Sequence, residues 1–275
     1  MIPAKFDYVR VDSADAAVAA LVEHGEDAKI LAGGHSLVPL LKLRLASPSV
    51  LIDVGRVKDL SFIRDGGDHI AVGALTRHRE VETSQMLAQH VPLLAMVAAE
   101  VGDNQVRHRG TIGGSIAHGD PASDLPAAAL ALNATLVLRG PKGERTVAAA
   151  DFFHGFLTTS LEPDELLTEI RVPKITGAGA NYQKFNRRAQ DWAIVGVAAW
   201  KQNGNHGVAM VNMGSTPVRA TAVEAALASG ATAAEASMHA SDNTDPPADL
   251  NASVEFRQHL ARVLTRRALE AAGVK

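Results

Sequence analysis

The sequence predicts an α+β chain: two small α/β units, then an antiparallel sheet with helices. Three observations carry this. Short apolar runs alternate with helical patterns as far as about residue 173. Beyond the small-residue stretch Ile175-Thr176-Gly177-Ala178-Gly179-Ala180, strand-like runs flank an Asn203-Gly204-Asn205 turn, and helical patterns close the chain. Two glycine-pair segments, Ala32-Gly33-Gly34-His35-Ser36 and Thr111-Ile112-Gly113-Gly114-Ser115, punctuate the two α/β units.

In chain order, Ser13 caps a helix to about His24, with Ala16, Ala20 and Leu21 on one face and Gly25 as terminator. Lys29 to Ala32 is a short buried strand running into the first glycine segment. Leu37 to Leu45 is helical with Pro39 near its start, where proline is tolerated, and Val50 to Val54 is the next strand. In the second unit Ile70 to Gly73 is a strand, Thr76 caps a helix to about Leu87, and Pro92 opens another to about Val101. The second glycine segment follows, then a helix from Pro121 to Asn133. A hairpin pairs Leu136–Leu138 with Arg145–Val147, and Leu166 to Pro173 is the last strand of the unit. Tyr182 to Arg188 and Val195 to Gln202 read as strands, and Val208 to Gly214 is the return strand of a hairpin turning at Asn203-Gly204-Asn205. Arg219–Ser229, Ala231–Ala240 and Val254–Ala272 are helical, with a polar loop over Ser241–Asn251. This divides the chain into residues 1–175, with subdomains of about 1–55 and 56–175, and residues 176–275.

Composition narrows the function. With 27 basic and 30 acidic residues the chain carries no charge excess that would favour nucleic acid or an anionic membrane. No apolar run approaches the roughly 18 residues of a spanning helix, and the N-terminal residues lack the blocks of a signal peptide, so the expected location is the cytoplasm, without membrane insertion. The absence of cysteine excludes disulfides, thiolate metal sites, a cysteine-ligated iron–sulfur cluster and a cysteinyl-flavin bond within the chain. No His-Glu-x-x-His or similar spacing is present, so no metal ligand is expected. Redox chemistry here needs a bound organic cofactor or a partner subunit.

A glycine pair admits positive φ and close approach of backbone to ligand. Successive N–H groups form an anion-cradling hollow, and the serine after each pair adds a hydroxyl. Two such segments suggest two walls around a diphosphate. Asp124, nine residues beyond Ser115 at a helix start, caps backbone N–H groups or accepts from ribityl or ribose hydroxyls. His35 reads as a ligand contact or a loop donor, and His118 likewise. Arg107 and Arg109 read as a solvated loop, an anion site or a subunit surface, and Tyr182 and Phe185 as packing residues.

The two glycine motifs, with Asp120-Pro121-Ala122-Ser123-Asp124-Leu125-Pro126, Tyr182-Gln183-Lys184-Phe185-Asn186-Arg187-Arg188 and the terminal His259–Ala268 stretch, resemble the FAD-binding medium subunit of molybdenum hydroxylases, the xanthine dehydrogenase superfamily. The pattern is similar to that of aerobic carbon monoxide dehydrogenase, over the whole chain. The resemblance implies a PCMH-type FAD domain of two α/β subdomains and a C-terminal domain with a three-stranded antiparallel sheet and a helix bundle. It implies FAD contacts at Lys29, Ala32, Gly33, Gly34, His35, Ser36, Leu37, Thr111, Ile112, Gly113, Gly114, Ser115, Asp124, Leu167, Lys184 and Trp192, and no catalytic acid–base pair. Ser115 stands where relatives commonly carry Asn, and Trp192 where they often carry Tyr. It further implies a large molybdopterin subunit and a small subunit with 2Fe–2S clusters, assembled as a dimer of heterotrimers, and quinone, NAD or oxygen as acceptor. The rival readings are an FAD subunit for an aldehyde, xanthine or N-heterocycle substrate, a stand-alone PCMH-type flavin oxidase, and a non-catalytic nucleotide-binding module.

Overall fold

The computed structural model describes residues 2–275. Strands β1 (Asp7–Arg10), β2 (Ala28–Leu31) and β3 (Val50–Asp53) form a parallel sheet in the order β1-β3-β2. Helix α1 (Ala14–His24) joins the first two and α2 (Leu37–Leu43) the last two. Ser13 Oγ accepts from Ala16 N at 3.1 Å, and Gly25 ends α1 with φ 58°. The expected boundaries of α1 hold because caps are local signals. Strand β1 was not expected: four residues with no regular burial alternation pair with β3, some forty positions away. Since the sheet is parallel, the glycine segment after β2 and the turn after β3 leave it at one edge.

The second unit is an antiparallel sheet ordered β4-β5-β10-β6-β7: β4 (Ile63–Asp65), β5 (His69–Gly73), β6 (Thr135–Gly140), β7 (Gly143–Ala148) and β10 (Leu166–Pro173). Strands β8 (Phe153–Gly155) and β9 (Thr158–Thr159) make a separate small hairpin. Between β5 and β6 run α3 (His78–Thr83), α4 (Gln85–His90), α5 (Pro92–Ala99), α6 (Asn104–Arg109), α7 (Ile112–His118) and α8 (Asp124–Ala131). The single helix expected after Thr76 is two helices. Ser84 is extended, with ψ 116°, and its Oγ takes the Leu87 N–H at 3.2 Å, starting α4 instead of continuing α3. Thr76 is no cap: buried, it exchanges hydrogen bonds with both backbone groups of Phe62. Asp103 caps the unexpected α6 through Val106 N.

The C-terminal sheet has four strands, not three: β11 (Gly179–Phe185), β12 (Val195–Gln202), β13 (Asn205–Val211) and the two-residue β14 (Val218–Arg219). The β12–β13 turn has φ 50° at Asn203 and 81° at Gly204, the conformation its sequence favours. Helices α9 (Thr221–Ala228), α10 (Ala233–Ser237) and α11 (Val254–Ala271) follow. Alternation along β12 feeds two cores. Val195, Val197 and Ala199 pack with Leu260, Leu264 and Ala268 of α11, whereas Ala198 and Trp200 join Leu94, Ala128 and Ile170 in the core of the second unit. Both faces are covered, which explains the unbroken apolar run. No helix is long and apolar enough to cross a membrane among the described residues.

A glycine cavity and a buried ion pair as the candidate functional site

The first glycine segment lies against Arg109 and Gly110, the residues that lead into the second. A Cβ on Gly33 would stand 2.6 Å from the Arg109 carbonyl oxygen and 2.8 Å from Gly110 Cα, so only glycine permits this approach. Gly34 has φ 78°. Among the described residues the N–H groups of Gly33, Gly34, His35 and Ser36 have no protein acceptor. Three of these residues, Gly33, Gly34 and His35, line a cavity of about 500 Å³ together with Arg56, Arg77 and Arg109.

The second segment differs from its expectation as a positive-φ loop. Thr111 is the N-cap of α7, and both glycines lie in its first turn. Each N–H there is already engaged. Ile112 donates to Thr76 O at 3.0 Å, Gly113 to Ala74 O at 2.9 Å, Gly114 to Thr111 Oγ1 at 3.1 Å and Ser115 to Thr111 O at 3.1 Å. Gly113 serves packing, since a Cβ would lie 2.4 Å from that of Ala74. What this segment offers a ligand is the half-buried Ser115 hydroxyl and a surface kept low by Gly114, while Thr111 is buried with its hydroxyl used as the cap.

Asp124 and Lys184 come together from different sheets and helices. Asp124, the first residue of α8, accepts from Lys184 Nζ at 2.9 Å through Oδ2 and from the Tyr182 hydroxyl through Oδ1. Lys184 Nζ also donates to the Glu100 carbonyl at 2.9 Å. The paired side chains are only 7% and 5% exposed. Burial pushes the Asp124 carboxyl up, against the pull of Lys184 and Tyr182, and burial beside this carboxylate pushes the Tyr182 phenol well above its usual value.

The remaining expected contacts are scattered. Leu167 is buried in the core at a bulge of β10, and Leu37 is half-buried at the start of α2. Lys29 is exposed on β2. Trp192 is 54% exposed beside a second cavity of about 610 Å³, which it lines with Phe156, Pro121 and the fully buried Arg257. Arg56, Arg77 and Tyr182 were not foreseen as site residues. Only Tyr182 had a signal, its period-two spacing to Lys184 on a strand.

The FAD binding domain of molybdopterin dehydrogenase matches residues 4–175, and the carbon monoxide dehydrogenase flavoprotein C-terminal domain matches residues 180–272. The chain belongs to this flavoprotein family. It is 41% identical over 282 aligned residues to the carbon monoxide dehydrogenase medium chain of Hydrogenophaga pseudoflava, covering 99% of this chain and 98% of that one. It is 38% identical to the 6-hydroxypseudooxynicotine dehydrogenase complex subunit alpha of Paenarthrobacter nicotinovorans, covering 98% and 95%. The solved carbon monoxide dehydrogenase from H. pseudoflava superimposes with a TM-score of 0.95 at 42% identity, over 99% of this chain and 98% of that one. This flavoprotein subunit uses FAD, and the residues present fit the cofactor: backbone N–H groups without protein acceptors, beside a cavity lined by arginines, have the donor chemistry a diphosphate takes.

Proposed function

We propose that the chain is the FAD subunit of a cytoplasmic molybdenum-containing dehydrogenase of the carbon monoxide dehydrogenase type. Electrons from the iron–sulfur clusters of a small partner subunit, originating at a large molybdopterin subunit, pass through it to quinone, NAD or oxygen. An aldehyde, xanthine or N-heterocycle substrate of the large subunit is the alternative. FAD supplies the redox chemistry when bound, and the protein's part is to hold and tune it. On this reading Gly33 to Ser36 donate backbone N–H groups to the diphosphate, Ser115 adds a hydroxyl on a segment shaped by the Thr111 cap, and the Asp124–Lys184 pair supplies polar groups. The observation that carries the reading is the unpartnered run of N–H groups opening on a cavity, in a chain alike along its whole length to dehydrogenase medium chains.

Gly114→Val tests it. A Cβ there would lie 2.7 Å from Thr111 Oγ1, so valine displaces the cap and fills the ligand-facing surface. The expected outcome is loss of FAD uptake with an unchanged far-ultraviolet circular dichroism spectrum. Full flavin occupancy in a folded variant overturns the site. Co-purification of the wild-type chain with its partner subunits, followed by bleaching of the flavin on adding carbon monoxide, tests the electron route. A flavin bleached by an aldehyde or N-heterocycle instead selects the alternative.

A further inference from the structure

The cavity beside the first glycine segment is lined by Lys42, Arg56, Arg77 and Arg109, and by one carboxylate, Asp53. None of these four cations forms an ion pair among the described residues. Asp53 is occupied elsewhere, accepting from Gly55 N at 2.7 Å and from the Tyr8 hydroxyl. Arg77 donates to the Arg109 carbonyl, so the two arginines are held together. Burial, then the Arg109 charge, holds the Arg77 guanidinium below its usual pKa. Like charges gathered in one concavity repel, and the arrangement is relieved by an anion placed among them. Arginine suits phosphate in particular, through its fork of donors. The cavity opens where the parallel strands β2 and β3 end, the edge at which open α/β units take nucleotides.

The second glycine segment offers phosphates no backbone N–H donors, because its four N–H groups are committed within the protein. We infer that Arg56, Arg77, Arg109 and Lys42 form a cationic clamp for the diphosphate of the dinucleotide, so that this chain selects its flavin by its phosphates. The inference rests on the FAD reading above and adds to it the residues that provide affinity. Arg107, two positions before Arg109, takes no part: its guanidinium is bound to Glu82, Asn104 and the Val101 carbonyl.

The test is titration of FAD, and separately of riboflavin, into the full-length apo chain, followed by flavin fluorescence at about 0.02 M and about 0.5 M salt. The variants are Arg77→Gln, Arg56→Gln and Arg56→Lys. Arg56 donates to no protein group among the described residues, so its replacement leaves the fold alone even if Arg77→Gln loosens the Arg109 loop. In Arg56→Gln and Arg77→Gln the expected FAD affinity falls about tenfold at low salt, with a smaller loss at high salt. Riboflavin affinity stays at the wild-type level, and Arg56→Lys recovers most of the loss. Inorganic pyrophosphate competes with FAD in the wild type and competes poorly in the glutamine variants. FAD affinities of both glutamine variants within about twofold of wild type, or equal losses for riboflavin and FAD, overturn the clamp while leaving the FAD site standing. A wild-type chain that takes up no FAD overturns the reading beneath it.

Discussion

His78 opens α3 with 5% of its surface exposed, and its Nδ1 meets no protein partner. Burial, then the neighbouring charges of His35, Arg77 and Arg107, lowers its pKa from 6.5 to about 4. As pH falls below 6.5 the unfolded chain takes up a proton here, while the folded chain resists until about 4. The stability this group contributes above 6.5 is therefore lost on the way down to 4, up to about 3 kcal/mol. Urea unfolding between neutral pH and about 4.5 should show a steeper fall for wild type than for His78→Gln; equal slopes would contradict the buried neutral histidine. At this scale the sequence was only partly legible. Arg107 and Arg109 read alike in one dimension, but two helical positions place them about 200° apart. One is locked into Glu82 and the other reaches the cavity.

Within β11, Tyr182 and Lys184 share a face because strand side chains alternate, and both reach Asp124 at the start of α8. Removing the cation alone leaves a buried carboxylate without compensation. Lys184→Met should cost about 3–5 kcal/mol in denaturant unfolding, and adding Asp124→Asn should recover most of it. A double variant no more stable than Lys184→Met would show that the two groups act separately. Tyr182 looked like packing in the sequence because a tyrosine's apolar body and its polar tip cannot be told apart without its neighbours. The second glycine segment was legible as a special place and misread in form. Gly113 answers a helix packed on Ala74, the residue just after β5 and some forty positions earlier.

Across the whole molecule, the core of the second unit continues through the β10–β11 junction into one face of the C-terminal sheet. Trp200 Nε1 donates to the Ala131 carbonyl at 2.8 Å, and Lys184 reaches Asp124, so the two units share buried apolar and polar contacts. Calorimetry of the apo chain should therefore give one cooperative transition for residues of both units. Two resolved transitions would mean that the shared core is not what holds them. The composition shift at residues 175–180 marks a change of architecture, with no break in the core.

The Ser13 cap, the Gly25 terminator, the Asn203-Gly204 turn and the positions of the glycine pairs were readable from the sequence alone, because each depends on residues within a few positions of one another; Thr76, read in the same way, is no cap. Tertiary structure alone decided that β1 pairs in parallel with β3, that Arg56, Arg77 and Arg109 meet at one cavity, and which backbone N–H groups remain free for a ligand. Those outcomes depend on contacts between residues far apart in the chain, where packing and hydrogen-bond satisfaction set the partners and local propensity has no say.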